Sequence, residues 1–287
     1  MRPEQVSTPE ELQAWLKERG EEWFTVGWSG EQVYETDGTT RFHLLADGSV
    51  ELRSSSRGRP TGSTRFSDLR TATQGLVNAS LKEELQRTVE RAGFGREVSA
   101  RGMPQFTATG PPAEGRWAVV VSEGSFHVGG MTMGRFRHYA SATTIDETVE
   151  LLERLVSTSG PSEPAPDGDL IAAGEATSRR IFERVDAEGG YARPTGVGPG
   201  DLVDRVGHES GSQLFALGTP FAWRSQPPDM VGAEYHRYRV LAELPEAQEG
   251  RAAAWFDQPG GGAMIVAERP VRWYLDHGYL VEITDPA

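Results

Sequence analysis

Glycine and proline interrupt this chain so often that long helices cannot dominate its fold. The 287 residues include 34 glycines and 18 prolines, and both residue types favour turns and loops over helix interiors. Hydrophobic residues make up 37% of the chain and charged residues 25%, as in soluble globular proteins. A chain of this length usually forms about two domains. We therefore expect an α+β protein with more than one domain and many loops.

A polar, proline-rich segment divides the chain into two parts. Residues 157–168 contain three prolines and no large apolar residue, which predicts an extended, exposed linker. Residues 1–156 are interpreted as an α+β recognition or regulatory domain. Residues 169–287 are interpreted as a compact domain with a mixed sheet and flanking helices, because strand-like and helix-like runs alternate there with few helices.

Turn signals separate strand-like runs in residues 1–156. Asp47-Gly48, Glu123-Gly124 and Gly129-Gly130 predict turns between strands. Thr8 and Thr144 each precede a glutamate at the third following position, which is typical of a capped helix start. The pattern therefore predicts an antiparallel sheet with helices in this domain.

The two halves of the front domain share a sparse similarity. Arg65-Phe66 recurs 70 residues later as Arg135-Phe136, and Leu81 recurs as Leu151. An internal duplication and chance are both open explanations. The histidines of this region stand singly among strand-forming residues, so we expect structural roles for them and no catalytic site in residues 1–156.

Composition excludes several classes of function. The net charge of −13 argues against nucleic acid as a partner, because binding to phosphate backbones needs clustered cations. The chain has no cysteine, which excludes thiol nucleophiles, cysteine metal sites and disulfides. No apolar segment resembles a signal peptide or a membrane span. We therefore expect a cytoplasmic protein, with export by a route that lacks a visible signal left open.

Polar and glycine-rich signatures are concentrated in the last third of the chain. In order they are Asp204-Arg205-Val206-Gly207, Gly218-Thr219-Pro220-Phe221, Arg224 before Pro227-Pro228, Tyr235-His236-Arg237-Tyr238, and the run from Trp255 to Gly262. Such a set supplies cations, an amide and glycines that permit close approach of a ligand, which predicts a binding site. The chain contains no phosphate-binding P-loop, serine nucleophile elbow or zinc-binding H-E-x-x-H motif.

Taken in order, these signatures resemble the TNT-type NAD glycohydrolases, the necrotizing-toxin domain family, over roughly residues 190–283. The resemblance implies hydrolysis of NAD to nicotinamide and ADP-ribose, with NAD as substrate and with no cofactor or metal. It implies Gln258, Arg224 and Arg205 as catalytic residues. The substrate-binding residues that it implies are Arg205, Arg224, His236, Phe215, Gly260 and Gly261.

The resemblance also implies roles for individual side chains. Because the planar fork of arginine binds phosphate oxygens in pairs, Arg205 and Arg224 are expected on the pyrophosphate. Gln258 is expected beside the reacting ribose. On this interpretation Arg224→Ala should lower kcat/KM while the melting temperature changes little.

Several positions depart from the family pattern. Val206 replaces a phenylalanine, Gln213 replaces an aromatic residue, Ser225-Gln226 stand for Ala-Leu before the double proline, and Met264 replaces a glutamine often found after the glycines. The change at Gln213 would weaken stacking on nicotinamide unless Phe215 or Trp223 substitutes for the lost aromatic. The alternative is therefore a catalytically weak or inactive nucleotide-binding domain coupled to a partner-recognition domain. ADP-ribosyl transfer is disfavoured, because residues 169–287 lack a Glu-x-Glu pair.

An enzyme that consumes NAD needs restraint in the cell that makes it. The sequence leaves two partners open for this role. One is a separate immunity protein, and the other is the front domain, residues 1–156, acting within the same chain.

Overall fold

The structure is a computed structural model that describes residues 1–21, 24–31, 38–56, 58–93, 116–166 and 168–285. Contacts within it divide the chain into two compact units. Unit 1 comprises Met1–Gly93, Val120–Phe126 and Ala142–Val149 within this described part, and unit 2 comprises the other described residues. Helices and strands make up both units, which confirms the expected α+β class. Residues 127–141 and 150–166, which the sequence assigns to the front domain and the linker, thus belong to unit 2.

Unit 1 contains a four-stranded sheet and two helices. These elements are α1 (Pro9–Glu18), β1 (Thr25–Trp28), β2 (Thr39–Leu44), β3 (Val50–Ser56), β4 (Arg59–Phe66) and α2 (Leu69–Ala92), after a 3₁₀ turn at Pro3–Gln5. The predicted cap of α1 is confirmed, because the Glu11 amide donates to Thr8 Oγ1 while the Thr8 amide donates to the Glu11 carboxylate. Strands β2, β3 and β4 are antiparallel, but β1 pairs parallel with β2. The expected antiparallel sheet is thus mixed at β1, since alternation along one strand does not specify the direction of its neighbour.

A three-stranded sheet and a helix follow. They are β5 (Trp117–Ser122), β6 (Ser125–Thr132), β7 (Arg135–Ala142) and α3 (Ile145–Ser157), in the sheet order β5-β6-β7. The cap at Thr144 is confirmed by its hydrogen bond with the Glu147 amide, at 3.2 Å. The sequence similarity at a spacing of 70 falls on a strand and the helix after it in both cases: Arg65-Phe66 lie in β4 and Leu81 in α2, and Arg135-Phe136 lie in β7 and Leu151 in α3. The internal duplication stays a prediction.

The turn predicted at Gly129-Gly130 is wrong. Both glycines lie inside β6, and the turn to β7 is formed by Met133 and Gly134, whose φ angles are 54° and 68°. A Cβ atom at Gly130 would lie 1.7 Å from the carbonyl oxygen of Ser210. Glycine in a strand often marks such a close approach of two backbones. The glycine pair therefore serves packing within unit 2 and not a turn.

Gly130→Ala should destabilise the protein. The added methyl group would collide with backbone at Ser210, and overpacking of this kind costs about 1–3 kcal/mol. Denaturant unfolding of the full chain measures the difference. Gly198→Ala is the matched control, because a Cβ atom there has no neighbour within 4 Å. Equal stability of the two variants would contradict the packing role of Gly130.

Unit 2 contains an eight-stranded sheet. Its strands are β8 (Ser162–Pro164), β9 (Tyr191–Ala192), β10 (Leu202–Val206), β11 (Gln213–Ala216), β12 (Tyr235–Val240), β13 (Gln248–Arg251), β14 (Ala263–Val266) and β15 (Leu280–Thr284), in the order β8-β15-β12-β10-β11-β14-β13-β9. The sheet is mixed, as expected, because β8 pairs parallel with β15 while the other pairs are antiparallel. Residues 157–168, predicted as a linker, therefore contribute an edge strand to this sheet.

Helices cover one face of the sheet. Besides the C-terminal part of α3, the helices in the described part of unit 2 are α4 (Leu170–Ala187), α5 (Phe221–Arg224) and α6 (Val271–Asp276), with a 3₁₀ turn at Pro228–Met230. Side chains of α4 and α6, such as Ile181 and Tyr274, pack with Val203, Leu214 and Tyr238 in the largest apolar cluster of this unit. We call this the helix face of the sheet. None of the helices in the described part of the chain has the length and hydrophobicity of a membrane span.

Strand geometry separates neighbouring residues of β10. Because side chains alternate along a strand, Val203 and Arg205 lie on the helix face and Asp204 lies on the other side. In the register of the sheet, Asp204 pairs with Phe215 of β11 and Arg205 pairs with His236 of β12. We call the side of Asp204 and Phe215 the open face. The side chains of the residues predicted as one site thus project from both faces of the sheet.

Candidate functional site

A buried ion pair lies at the centre of the open face. Nη1 and Nη2 of Arg224 each lie 2.7 Å from a carboxylate oxygen of Asp204, and both side chains are almost completely buried. The hydroxyl of Tyr235 and the amide of Gly218 also donate to Asp204, at 2.7 and 2.9 Å. Burial and Asp204 raise the pKa of Tyr235, so this hydroxyl stays protonated and donates. The charge of Arg224 is therefore compensated inside the protein.

The short helix α5 fixes the direction of Arg224. Its Nε donates to the carbonyl of Thr219 at 2.8 Å, and its guanidinium carbon lies 5.0 Å from the ring centroid of Phe215. Ser225 follows with φ at 51°, a left-handed conformation that ends the helix. The guanidinium of Arg224 is consequently held in a fixed position over the ring of Phe215. The structure also changes the expectation that Arg224→Ala leaves stability intact, since it would leave the Asp204 carboxylate buried without its cation.

A strained turn carries Gln258 to α5. Trp255 and Gln258 are bridged, and the two residues between them, Phe256 and Asp257, have φ angles of 51° and 57°. Two successive positive φ angles define a type I′ turn, and non-glycine residues adopt them only where the surroundings enforce it. Nε2 of Gln258 donates to the carbonyl of Gln226 at 2.7 Å. The turn is thereby attached next to the end of α5.

The glycines after Gln258 follow the same surface. The amide of Gly260 donates to Ala222 at 3.3 Å, and that of Gly262 donates to Trp223 at 2.9 Å. A Cβ atom at Gly260 would lie 2.6 Å from a backbone oxygen, whereas one at Gly261 would meet nothing within 4 Å. Gly260 therefore permits close backbone packing, and Gly261 faces open space where a ligand could approach.

Polar atoms without partners gather at this junction. Oγ of Ser225, Oε1 of Gln226 and Oε1 of Gln258 are buried and have no hydrogen-bond partner among the residues that the structure describes. Buried polar atoms in proteins are nearly always bonded, so each exception needs an explanation. A polar ligand at the junction would supply these bonds. The structure thus brings together Gln258, Arg224 and Gly261 of the predicted set, whereas Phe215, predicted to bind substrate, is fully buried beneath Arg224.

Arg205 lies on the helix face, away from this junction. Its side chain is 4% exposed. Nε donates to the carbonyl of His208 and Nη1 to the carbonyl of Gln213, both at 2.8 Å. A Cβ atom at Gly211 would overlap the guanidinium. Arg205 therefore holds the loop that leads into β11, and its hydrogen bonds within the chain do not place it beside Arg224.

His236 belongs to a network of charges on the helix face. Its Nδ1 lies 2.7 Å from Oε1 of Glu282, and this hydrogen bond raises the pKa of His236 although burial opposes the rise. Donor atoms of Glu209, His236 and Glu282 all lie within 4.8 Å of one another, as metal ligands do. Nη1 of Arg272 lies 3.5 Å from Glu209 and already supplies a positive charge. Arg272 also pairs with Asp276 at 2.9 Å, so the group is part of a larger network of ion pairs.

Several residues of both groups were not among the site residues predicted from the sequence. Asp204 and Tyr235 stand inside the quoted signatures, next to Arg205 and His236, but were given no role. Their position beside motif residues was the signal that could have found them. Glu209 and Glu282 carried no such signal, since they are brought to His236 only by the packing of the sheet and its loops.

Comparison with known proteins agrees with the signatures. Residues 197–283 match the family described as tuberculosis necrotizing toxin. Over 126 residues the chain is 39% identical to the conidial surface nicotinamide adenine dinucleotide glycohydrolase nadA of Aspergillus fumigatus, which covers 42% of this chain and 52% of the fungal protein. The chain thus spans about half the length of this relative.

A solved structure also matches part of the chain. It is that of tuberculosis necrotizing toxin complexed with its immunity factor, with 26% identity and a TM-score of 0.25. The match covers 29% of this chain and 47% of the toxin chain. The predicted resemblance is confirmed over residues 197–283, which match the TNT family.

Proposed function

We propose that this protein hydrolyses NAD to nicotinamide and ADP-ribose at the junction of α5 and the Gln258 turn. The observation that carries the proposal is the state of the Gln258 amide. Its Nε2 is anchored to Gln226, while its buried Oε1 has no partner among the described residues. The side chain is thus held in place with an acceptor available to a substrate.

The reaction needs little from the protein beyond positioning and polar groups. Cleavage of the bond between ribose and nicotinamide takes the bonding electrons to the ring nitrogen, so the base departs neutral without a general acid. The ribose carbon becomes oxocarbenium-like, water adds to it, and the proton of that water passes to solvent. An oriented acceptor beside the developing positive charge lowers the barrier, because a fixed dipole needs no reorganisation in the transition state.

The two arginines act as positioning residues in this proposal. Arg224 is paired with Asp204 and lies over Phe215, so it fixes the end of α5 relative to the ring of Phe215. Arg205 fixes the loop before β11 through two carbonyl groups. Gln258 is the residue that we assign to the reacting ribose.

The fungal relative supports the same reaction class. It is named a nicotinamide adenine dinucleotide glycohydrolase, and the identity of 39% extends over 126 residues. Together with the match of residues 197–283 to the toxin family, this favours NAD cleavage over nucleotide binding alone.

The purified full chain should convert NAD to equal amounts of nicotinamide and ADP-ribose, measured by chromatography. Gln258→Ala should lower kcat more than it raises KM, because the acceptor acts mainly in the transition state. Hydrogen bonds to charged groups contribute about 1.5–3 kcal/mol, so we expect a loss of about ten- to a hundredfold in kcat. Gln86→Ala, on helix α2 of unit 1, is the matched control and should keep wild-type kinetics.

The assay also separates the two functional hypotheses. Intact NAD after long incubation at high protein concentration would contradict the catalytic proposal. If the same protein bound NAD in calorimetry, the alternative of a nucleotide-binding domain without turnover would replace it.

A further inference from the structure

The hairpin of β6 and β7, residues 127–141, is built into unit 2. Oγ1 of Thr132 accepts a hydrogen bond from the amide of Ser212 at 3.0 Å. The guanidinium of Arg137, which is 3% exposed, pairs with Glu268. The hydroxyl of Tyr139 donates to Asp276 at 2.5 Å. These contacts attach the hairpin to the residue before β11, to the segment after β14 and to the end of α6.

The turn of this hairpin places a methionine against β11. Sδ of Met133 lies 3.3 Å from Nε2 of Gln213, and Sδ of Met264 lies 3.6 Å from the same nitrogen. Met133 has a left-handed φ of 54° and is 50% exposed. An exposed methionine in a strained turn is held there by the rest of the hairpin. We call Met133, Gln213 and Met264 the thioether cluster.

The thioether cluster lies beside the candidate site. Gln213 and Phe215 are two residues apart on β11, so their side chains share the open face about 7 Å apart. Met264 pairs with Phe215 in the sheet and packs in the same apolar cluster. The guanidinium of Arg224 lies over the ring of Phe215. The cluster therefore lies next to the Arg224–Phe215 pair along β11, where a ligand seated at the junction of α5 and the Gln258 turn would meet it.

The chemistry of the cluster suits a planar base. It offers two polarizable sulfur atoms and one amide, and none of its three side chains carries a formal charge. Thioethers make favourable contacts with aromatic rings, whereas a phosphate would require cations or several amide donors. Of the parts of NAD, the cluster matches an aromatic ring and not the pyrophosphate.

We propose that Met133 is a substrate-binding residue that contacts the nicotinamide ring of NAD together with Gln213 and Met264. This inference rests on the proposed function. It adds a residue from outside residues 197–283, supplied by the hairpin. The two methionines provide the ring contact at the position where Gln213 stands in place of an aromatic residue.

The test compares ligands with and without the ring, using the full chain. Met133→Ala should raise KM for NAD about two- to tenfold, the range of a lost sulfur–aromatic contact, with kcat changed less. Inhibition by ADP-ribose, which lacks nicotinamide, should be unaffected. Met133→Leu keeps the bulk of the side chain and should restore part of the affinity. Arg135→Ala, an exposed truncation on the same hairpin, should match the wild type.

Several results would overturn the inference. One is a wild-type KM for NAD in both Met133 variants. Another is an equal loss of affinity for NAD and for ADP-ribose. A third is a higher kcat/KM in Met133→Ala, which would mean that the turn obstructs the site. If the wild type cleaves NAD and Met133→Ala behaves identically, only the inference fails. If the wild type does not cleave NAD, the proposed function fails. Calorimetry with NAD and with ADP-ribose then tests the inference, and tighter binding of NAD that depends on Met133 supports the inference. Absence of that preference, or of binding, rejects it.

Discussion

Asp204→Ala is expected to lower the free energy of unfolding by about 3–5 kcal/mol, because it leaves the guanidinium of Arg224 buried without a counter-charge. The variant also removes the acceptor of Tyr235 and Gly218. Denaturant unfolding of the full chain measures the loss.

Asp186→Ala is the matched control for this prediction. Asp186 also pairs with an arginine of unit 2, Arg251, but its side chain is 64% exposed. Exposed ion pairs contribute about 0–1 kcal/mol, so this variant should remain close to the wild type. Similar losses for both aspartates would show that the burial of the Asp204–Arg224 pair has no special energetic importance.

The same ion pair decides how variants of Arg224 are to be interpreted. A loss of activity in Arg224→Ala would combine unfolding with any loss of positioning, so stability must be measured beside kinetics. Arg224→Lys keeps the charge but replaces the planar guanidinium, two nitrogens of which contact Asp204, with a single ammonium group. It therefore separates the presence of a cation from its exact placement over Phe215.

A chain that begins at Asp169 is expected to be far less stable than one that begins at Arg116. The shorter chain loses the hairpin of residues 127–141 and strand β8. It removes the partners of the Ser212 amide and of the buried Arg272, whose guanidinium donates twice to Thr158. Because 1 kcal/mol corresponds to about 4–8 °C in a small domain, we expect the melting temperature to fall by about 10 °C or more.

Thermal unfolding followed by circular dichroism tests this expectation. The chain from Arg116 keeps all these partners and serves as the reference, and the full chain shows how much residues 1–115 change the stability. Equal melting temperatures for the two shorter chains would mean that residues 169–287 form an independent domain, as the sequence suggests.

Local features were predictable because they depend on near neighbours. The starts of α1 and α3 follow from Thr8 and Thr144 and the glutamates three residues later, and the structure has both caps. The signatures from Asp204 to Gly262 indicated the family, and the match at residues 197–283 confirms it. The roles assigned to the individual site residues stay predictions until the kinetic experiments are done.

Other features depended on partners distant in the sequence. The Gly129-Gly130 pair has the composition of a turn, but the backbone of Ser210 lies against it and leaves no room for a side chain. The proline-rich segment has the composition of a linker, but β15 offers it an edge to pair with. In both cases local composition is compatible with two structures, and a contact elsewhere selects one.

The sequence by itself determined which chemical groups this protein can use: arginines, an amide, aromatic rings and glycines in a family order, without a thiol. Only the tertiary structure decided where each group points. Asp204 and Arg205 are neighbours in the chain, yet strand alternation sends one to Arg224 and the other to the loop before β11. The register that pairs strands and the packing that buries charges both arise from non-local contacts, and so the arrangement of the site is a property of the folded sheet.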